Sequence, residues 1–204
     1  MSKKGIEVFL GDGSRSIQKE LSKAKLMLQG VGMGYETAVN RALNRGAVSG
    51  RAAAVQSIRK EYTAKAKTIR SHFTLEKSKV DTLEAVVSAS GRQLPLSSFK
   101  YRPKTDTTGK ARKRVRVAVK NNGGLKPLGA TFVYQDRLLR RDTAKSLPVR
   151  ELYGLSIPQM AGNEGVVEQI QKAMQETFLK RLDHEVADVL DRGVRGRNGG
   201  KIHG

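Results

Sequence analysis

The last fifth of the chain carries the sequence pattern that most constrains its fold. Seven apolar residues recur there at intervals of four: Val166, Ile170, Met174, Phe178, Leu182, Val186 and Leu190. Pure four-residue steps drift around a helix, and further apolar residues between them widen the stripe so that one face stays turned toward a core. Asn163 stands at the N-cap position just before this pattern. The pattern therefore predicts a long amphipathic helix that ends near Leu190.

A second helical pattern, over residues 35–72, has a centre built of small residues. Seven of the nine residues at 46–54 are Gly, Ala or Ser, and Gly46 and Gly50 lie one helical turn apart. Each glycine costs a helix about 1 kcal/mol relative to alanine, whereas small side chains let two helices approach closely. We predict a kink or a tight helix contact at these glycines, at a subunit or partner interface, with a break into two helices as the alternative.

Between the two long helical patterns, apolar residues alternate with polar ones, as they do in half-buried strands. The segments with this period are 83–90 and 114–120, and residues 130–135 and 137–141 are read as a third and a fourth strand. Residues 6–10 are a further candidate strand, and residues 14–28 carry a first helix. The predicted fold class is α+β, with N-terminal helices that include the long small-residue-rich one, a central, mostly antiparallel sheet and the long C-terminal amphipathic helix.

The same patterns predict the domain organisation. We expect a lead-in with the first helix at 1–34, a single α+β domain at 35–190 and a flexible, Gly-rich basic tail at 191–204. The tail has five glycines in fourteen residues and little to bury, which favours disorder. Within the domain, residues 100–114 read as a polar, basic loop. Residues 149–157 read as an irregular stretch, because prolines stand at 148 and 158.

Charge is the strongest compositional signal. The 204 residues contain 39 Lys and Arg against 19 Asp and Glu, a formal net charge of +20. Such an excess attracts polyanions, which include nucleic acids, anionic membrane surfaces and acidic proteins. Residues 161–204 are balanced, so the excess lies in the first four-fifths of the chain. It is densest at 100–120, where nine basic residues face the single Asp106.

The basic segment is the one candidate contact site for which the residue types suggest a chemistry. Arg112, Arg114 and Arg116 would form a row about 6–7 Å apart on one strand face if pairing begins that early. The predicted contact residues are Lys100, Arg102, Lys104, Lys110, Arg112, Lys113, Arg114 and Arg116. Their expected partner is DNA or an acidic protein, and the alternative is a solvated basic loop. Few aromatic residues stand nearby, so sequence-specific reading of nucleic acid is not expected.

No catalytic, metal-binding or cofactor-binding pattern stands out. The chain has no cysteine, and its three histidines, His72, His184 and His203, lie in no recognisable ligand motif. The glycine-rich segments at 11–13 and 30–34 lack the Gly-Lys-Ser/Thr that follows a phosphate-binding loop. No apolar run approaches the roughly 20 residues of a membrane helix. We therefore predict a protein that is not an enzyme, needs no cofactor and does not act at a membrane.

Several segments together resemble the phage minor tail protein Z family, which comprises tail-completion or neck proteins of long-tailed phages. The matching segments are NRALNRG at 40–46, IRKEY at 58–62 with IR at 69–70, SGRQLPL at 90–96 with Phe99, GATFV at 129–133, LPVRELYGLSIPQM at 147–160 and HE at 184–185. They follow the order expected of the family over residues 35–190. The block at 147–160 is the most specific, and the stretch between Val133 and Arg141 is shorter and more basic than the glycine-containing hairpin of the family.

The resemblance implies a structural virion protein that acts late in tail assembly, at the head-proximal end of the tail. It implies copies that form a ring or collar, sixfold by the symmetry of tails, and that join the tail terminator to head-completion or connector proteins. It also implies a role in DNA delivery, assembly in the host cytoplasm and a place in the tail or neck of the virion. For the 147–160 block it implies a subunit or partner contact, and the residues expected there are Leu152, Tyr153, Leu155, Ile157, Pro158 and Met160.

Two other function classes remain open at this point. A non-specific nucleic-acid-binding protein is favoured by the charge alone, and it would lose affinity steeply as salt rises. An enzyme that lacks a familiar motif is the third hypothesis. For the 147–160 block, the alternative to a partner contact is that it packs against the core of its own chain.

Overall fold

The computed structural model describes residues 6–10, 15–104, 114–143, 145 and 147–198. Five α-helices are present in these ranges: α1 at Arg15–Met27, α2 at Gly34–Glu61, α3 at Ala66–Ser71, α4 at Ile157–Ala161 and α5 at Glu164–Asn198. The strands are β1 at Ile6–Leu10, β2 at Phe73–Glu76, β3 at Ala85–Ala89, β4 at Gln93–Pro95, β5 at Lys100–Arg102, β6 at Arg116–Ala118, β7 at Lys126–Pro127, β8 at Thr131–Tyr134, β9 at Arg137–Arg141, β10 at Val149–Glu151 and β11 at Tyr153–Ser156. The predicted α+β class is confirmed.

The described residues divide into two compact units, and the chain passes between them several times. The first unit holds residues 54–73 and the described part of 89–166, and the second holds residues 7–53, 74–88 and 167–198. α2 supplies its first twenty residues to the second unit and its last eight to the first.

The second unit is built from helices α1, α2 and α5 with a three-stranded sheet in the order β1-β3-β2. Met174, Phe178 and Leu182 of α5 are fully buried, as the four-residue stripe predicts. α2 runs without a break through its small-residue centre. A Cβ added at Gly50 would stand 2.3 Å from Cγ of Met174. The tight helix contact predicted at Gly50 is therefore made with α5 of the same chain.

The first unit contains three small antiparallel arrangements of strands. β5, β6 and β7 form one sheet, β8, β9 and β10 form another in the order β10-β9-β8, and β11 pairs with β4. Val133 and Leu138 lie opposite each other on β8 and β9, and both are fully buried. Ile157 and Met160 of α4 are also fully buried. The core of this unit therefore lies under one face of the β8–β9–β10 sheet and around α4.

The β8–β9 connection is a two-residue hairpin turn made without glycine. Tyr134 pairs with Arg137, and the two residues between them, Gln135 and Asp136, have φ angles of 47° and 58°. Positive φ at both central positions is the type I′ geometry, whose twist matches that of the flanking strands and which normally selects Asn-Gly. The stretch that departs from the tail-protein resemblance at 133–141 is thus a short hairpin.

The structure differs from the sequence predictions in five places. The segment at 149–157 is regular and forms β10, β11 and the start of α4, and residues 100–102 are the strand β5 instead of loop. The helix predicted over 35–72 is broken at 62–65 into α2 and α3, and β2 was not predicted at all. α5 continues to Asn198, past the expected end at 190 and into the segment expected to be flexible.

Helix α4 begins with a capping box that fixes the path of the chain after β11. The Ser156 side chain accepts a hydrogen bond from the backbone N–H of Gln159 at 3.3 Å, and the Gln159 side chain accepts one from the backbone N–H of Ser156 at 2.9 Å. Pro158 occupies a position in the first turn, where its missing N–H is not needed. This arrangement satisfies two backbone donors that would otherwise be unpaired in a mostly buried segment.

Removing the cap is expected to destabilise the first unit measurably. Ser156→Ala should lower the free energy of unfolding by about 1 kcal/mol, because the backbone N–H of Gln159 loses its acceptor. Ser156→Asp should retain most of the stability, since a carboxylate accepts the same bond. Urea denaturation measures both, and equal stability of the alanine variant and the wild type would contradict the cap.

Candidate interaction surfaces

A basic sheet face, defined by Lys100, Arg102, Arg114 and Arg116, lies on β5 and β6 of the first unit. β5 and β6 are antiparallel, with Lys100 opposite Ala118, Tyr101 opposite Val117 and Arg102 opposite Arg116. Tyr101, Val115 and Val117 are buried on one side, and the four basic residues are exposed on the other. Alternation along each strand thus separates a core face from a cationic face.

β5 and β6 place Arg102 directly opposite Arg116. Directly opposite residues in an antiparallel pair have Cβ atoms about 5 Å apart, and like charges at that spacing are destabilising. The pair of strands is anchored by Thr63, whose hydroxyl accepts the backbone N–H of Lys100 at 3.0 Å and donates to the carbonyl of Ala118. The Arg102–Arg116 repulsion is therefore held in place by backbone pairing, and an anion above the face would relieve it.

Lys104 lies beyond the end of β5, and its ammonium group lies against Tyr101, on the opposite side from the basic sheet face. Its Nζ lies 3.3 Å from the centroid of the Tyr101 ring, a cation–π contact, and the Tyr101 hydroxyl donates to Oδ1 of Asp136 at 3.4 Å. Burial lowers the pKa of Lys104, the charges of Lys65 and Arg102 lower it further, and Asp136 opposes them. Lys104 is thus held by the aromatic ring in a field of other cations.

A second surface, the aromatic sheet face, lies on the outer side of the β8–β9–β10 sheet. Phe132 pairs with Leu139, which in turn stands opposite Glu151. The residues that share this side with them are Tyr134, Arg137, Arg141 and Val149. Tyr134 is 43% exposed and Val149 37%. The guanidinium carbon of Arg141 lies 5.3 Å from the centroid of the Phe132 ring. Exposed aromatic and arginine side chains around an apolar centre are typical of protein–protein interfaces.

The predicted contact residues of the basic segment fall into two groups. The structure brings Lys100, Arg102, Arg114 and Arg116 onto one face, whereas the Lys104 ammonium group lies against Tyr101 of the opposite face. Lys110, Arg112 and Lys113 lie outside the described residues. The predicted arginine row is therefore described only for Arg114 and Arg116, and its partners across the sheet come from β5.

The predicted interface residues serve mostly the packing of the chain itself. Those that are buried are Gly46, Gly50, Ile157, Pro158 and Met160. Their burial favours the alternative that these five residues pack against the core of their own chain. Leu152 and Leu155 are half-buried, and Tyr153 is 54% exposed. The exposed part of the 147–160 block thus lies at its first half, which includes β10 of the aromatic sheet face.

The net positive charge is concentrated in the first unit. Its described residues contain 18 Lys and Arg against five Asp and Glu, whereas those of the second unit contain 15 against 12. Both surfaces described above belong to the first unit. An acidic partner or a nucleic acid would therefore be drawn to the unit that carries them.

The aromatic sheet face is the feature that the sequence pattern did not predict as a site. Phe132 and Tyr134 alternate along β8, but the same alternation is typical of any half-buried strand. Only the pairing of β9 with both β8 and β10 places Leu139 and Val149 beside them. Both pairings join neighbouring strands of the chain, but the register that places these residues on one side is not recorded by any local pattern.

Comparison with known proteins does not assign this chain to a family. No family model, no curated protein and no solved structure matches this chain. Among the described residues, no three His, Cys, Asp or Glu side chains are grouped as metal ligands would be. None of the helices in the described ranges combines the length and the apolar character needed to cross a bilayer.

Proposed function

We propose that this chain is a structural, non-enzymatic assembly protein of a tailed phage, of the tail-completion type. In this role copies of the chain form a collar at the head-proximal end of the tail, in the virion neck, after synthesis in the host cytoplasm. The aromatic sheet face contacts a neighbouring protein, for which the tail terminator and the head-completion or connector proteins are the candidates. The basic sheet face points toward packaged DNA or toward an acidic neighbour.

One observation carries this proposal. Two of the segments that resemble the tail-protein family, at 129–133 and 147–160, supply the two outer strands of a single sheet, β8 and β10. The outer side of that sheet is the aromatic sheet face. Segments separated by more than a dozen residues thus converge on one exposed surface with interface composition, which supports an assembly role more directly than either segment does alone.

Removing the gene from its phage tests the proposal. We expect full heads and finished tails that stay separate, or joined particles that fail to infect, when particles are imaged and titred. Separate heads and tails would make the protein a joining element, and joined but inactive particles would place it at a final completion step. Normal infectious particles at the wild-type titre would contradict the proposal.

A second candidate function, non-specific binding of nucleic acid, is favoured by the basic sheet face. Four cations on one sheet face without a carboxylate among them suit a phosphate backbone. No base-stacking aromatic side chain stands on that face, so such binding would not read sequence. In this case the chain would act on nucleic acid without any virion partner.

The basic sheet face is expected to dominate the DNA affinity of the chain. Arg102→Ala with Arg116→Ala should weaken binding of a short duplex about tenfold or more and reduce the slope of log K against log salt by about 2, because two phosphate contacts are lost. Lys172→Ala with Lys180→Ala removes the same charge from exposed positions on α5 and is the matched control. Fluorescence anisotropy over a salt series measures both variants. Equal losses of DNA affinity in the two double variants would show that binding depends on net charge alone.

A further inference from the structure

A groove of about 540 Å³ lies on the second unit, whereas both surfaces of the proposed function belong to the first. Three segments line it: the first half of α2, the turn after β2 and the second half of α5. Its positively charged or imidazole side chains are Arg41, Arg45, Lys77, Arg181, His184 and Arg192. The volume falls in the range of roughly 300–1,000 Å³ that is usual for small-ligand sites.

Two carboxylates hold three of these arginines in fixed positions. Glu185, whose side chain is only 7% exposed, accepts Arg181 Nη2 at 2.8 Å and Arg41 Nη1 at 3.4 Å. Asp188 accepts Arg192 Nη2 at 2.7 Å and Arg41 Nη1 at 3.3 Å. Arg41 therefore bridges both acids. The ion pairs with the nearly buried Glu185 restrain the guanidinium groups of Arg41 and Arg181, which lowers the entropy cost of binding.

The two carboxylates do not balance the cations of the groove. Five Lys and Arg side chains line it against Glu185 and Asp188. Arg45 and Lys77 form no ion pair within the described part of the chain, and both are exposed. The Nε of Arg181 is buried and has no hydrogen-bond partner among the described residues. A donor in that state costs free energy unless an acceptor reaches it.

We propose that this groove binds a phosphoryl anion. Arginine forks match phosphate oxygens in pairs, and lysine adds a point charge. Donors reach the groove from three segments, which suits the tetrahedral oxygens of a phosphoryl group. A carboxylate accepts hydrogen bonds mainly near its own plane and would leave part of this arrangement unused. Among the described residues that line the groove there is no Phe, Tyr or Trp, so recognition is of the phosphoryl group and not of a base. The proposal is independent of the assembly role.

Titration with pyrophosphate in about 150 mM salt tests this site. We expect saturable one-to-one binding by calorimetry, and movement of the His184 ring resonances while those of His72 stay in place. A His184→Gln variant assigns the signal. A parallel titration with a short DNA duplex distinguishes the two sources of the phosphoryl group. If the groove accepts a nucleic-acid backbone, the duplex also moves the His184 resonances. If it accepts only a small molecule, the duplex leaves them in place.

Substitutions at the two unpaired cations separate this groove from the rest of the basic surface. Arg45→Ala with Lys77→Ala should weaken pyrophosphate binding tenfold or more. Arg45→Lys, which keeps the charge and loses the fork, should weaken it about threefold. Lys172→Ala with Lys180→Ala on the same unit, and Arg102→Ala with Arg116→Ala on the basic sheet face, should leave it unchanged.

Three results would overturn the proposal. They are the absence of saturable pyrophosphate binding, an equal loss in the groove and control variants, and citrate binding as tight as pyrophosphate binding. The first would show that the groove holds no anion. The second would show that only net charge matters, and the third that the groove has no preference for phosphoryl groups.

Discussion

Gly50→Leu is expected to lower the free energy of unfolding by about 3 kcal/mol, the upper end of the usual cost of overpacking. Even a single Cβ at this position would stand 2.3 Å from Cγ and 2.6 Å from Sδ of Met174, and 3.6 Å from Ile170. Both neighbours are fully buried, so neither side chain can move aside without disturbing the helix pair. The α2–α5 contact would have to open to admit the new side chain.

Gly165→Ala on α5 is the matched control for this prediction. A Cβ at Gly165 would meet only Oδ1 of Asn163, at an ordinary contact distance of 3.7 Å. The substitution should therefore be neutral or raise stability by up to about 1 kcal/mol, because alanine favours the helix. Chemical denaturation followed by circular dichroism measures both variants. A Gly50→Leu protein as stable as the wild type would show that α2 and α5 do not pack through Gly50.

Leu138 and Leu139 should respond to the same substitution to very different extents. Leu138→Ala is expected to lower the free energy of unfolding by about 3 kcal/mol, since its side chain is fully buried against the core of the first unit. Leu139→Ala should cost about 1 kcal/mol or less, because Leu139 lies half-buried on the aromatic sheet face opposite Phe132. Thermal and urea unfolding of the two variants measure the difference directly.

This pair of neighbours tests the register of the sheet. A slip of one residue would exchange the two faces and bring Leu139 into the core. A larger loss of stability in Leu139→Ala than in Leu138→Ala would therefore contradict both the register and the position of the aromatic sheet face. Equal losses would contradict the assignment of an outer, partner-binding side to this sheet.

The helices of the second unit could be predicted from the sequence because their signals are local. The four-residue apolar stripe of α5 and the small-residue centre of α2 each stand within one continuous segment. The sequence left open whether Gly50 marks a kink, a tight contact or a break. The choice depends on Met174, which lies more than a hundred residues away, and no local pattern records that contact.

The strands of the first unit were predicted less well because they are short and paired at a distance. β5 is three residues long and charged at both ends, so it read as loop until its pairing with β6 was known. β10 and β11 stand between prolines, a context typical of irregular chain. The hairpin at Gln135 lacks the Asn-Gly signal of its turn type. Because this turn has no such signal, the sequence does not predict the aromatic sheet face.

The extension of α5 to Asn198 has a different cause. The apolar stripe ends near residue 190, and the glycines beyond it argue against a helix. Asp188 and Arg192, four residues apart, form an ion pair with N–O distances of 2.7 and 3.2 Å across the expected helix end. Such pairs support a helix by a few tenths of a kcal/mol. The glycine content of this segment does not reveal the ion pair between Asp188 and Arg192.

The measurement that tests the account most directly is complementation of the gene deletion with a variant of the aromatic sheet face. Tyr134→Ser with Val149→Ser changes two exposed side chains on the outer strands, and the purified protein should remain folded. We predict that this variant restores few infectious particles, whereas the wild type and the Lys172→Ala, Lys180→Ala control restore the full titre. Full restoration by the folded aromatic-face variant would contradict assembly through this surface.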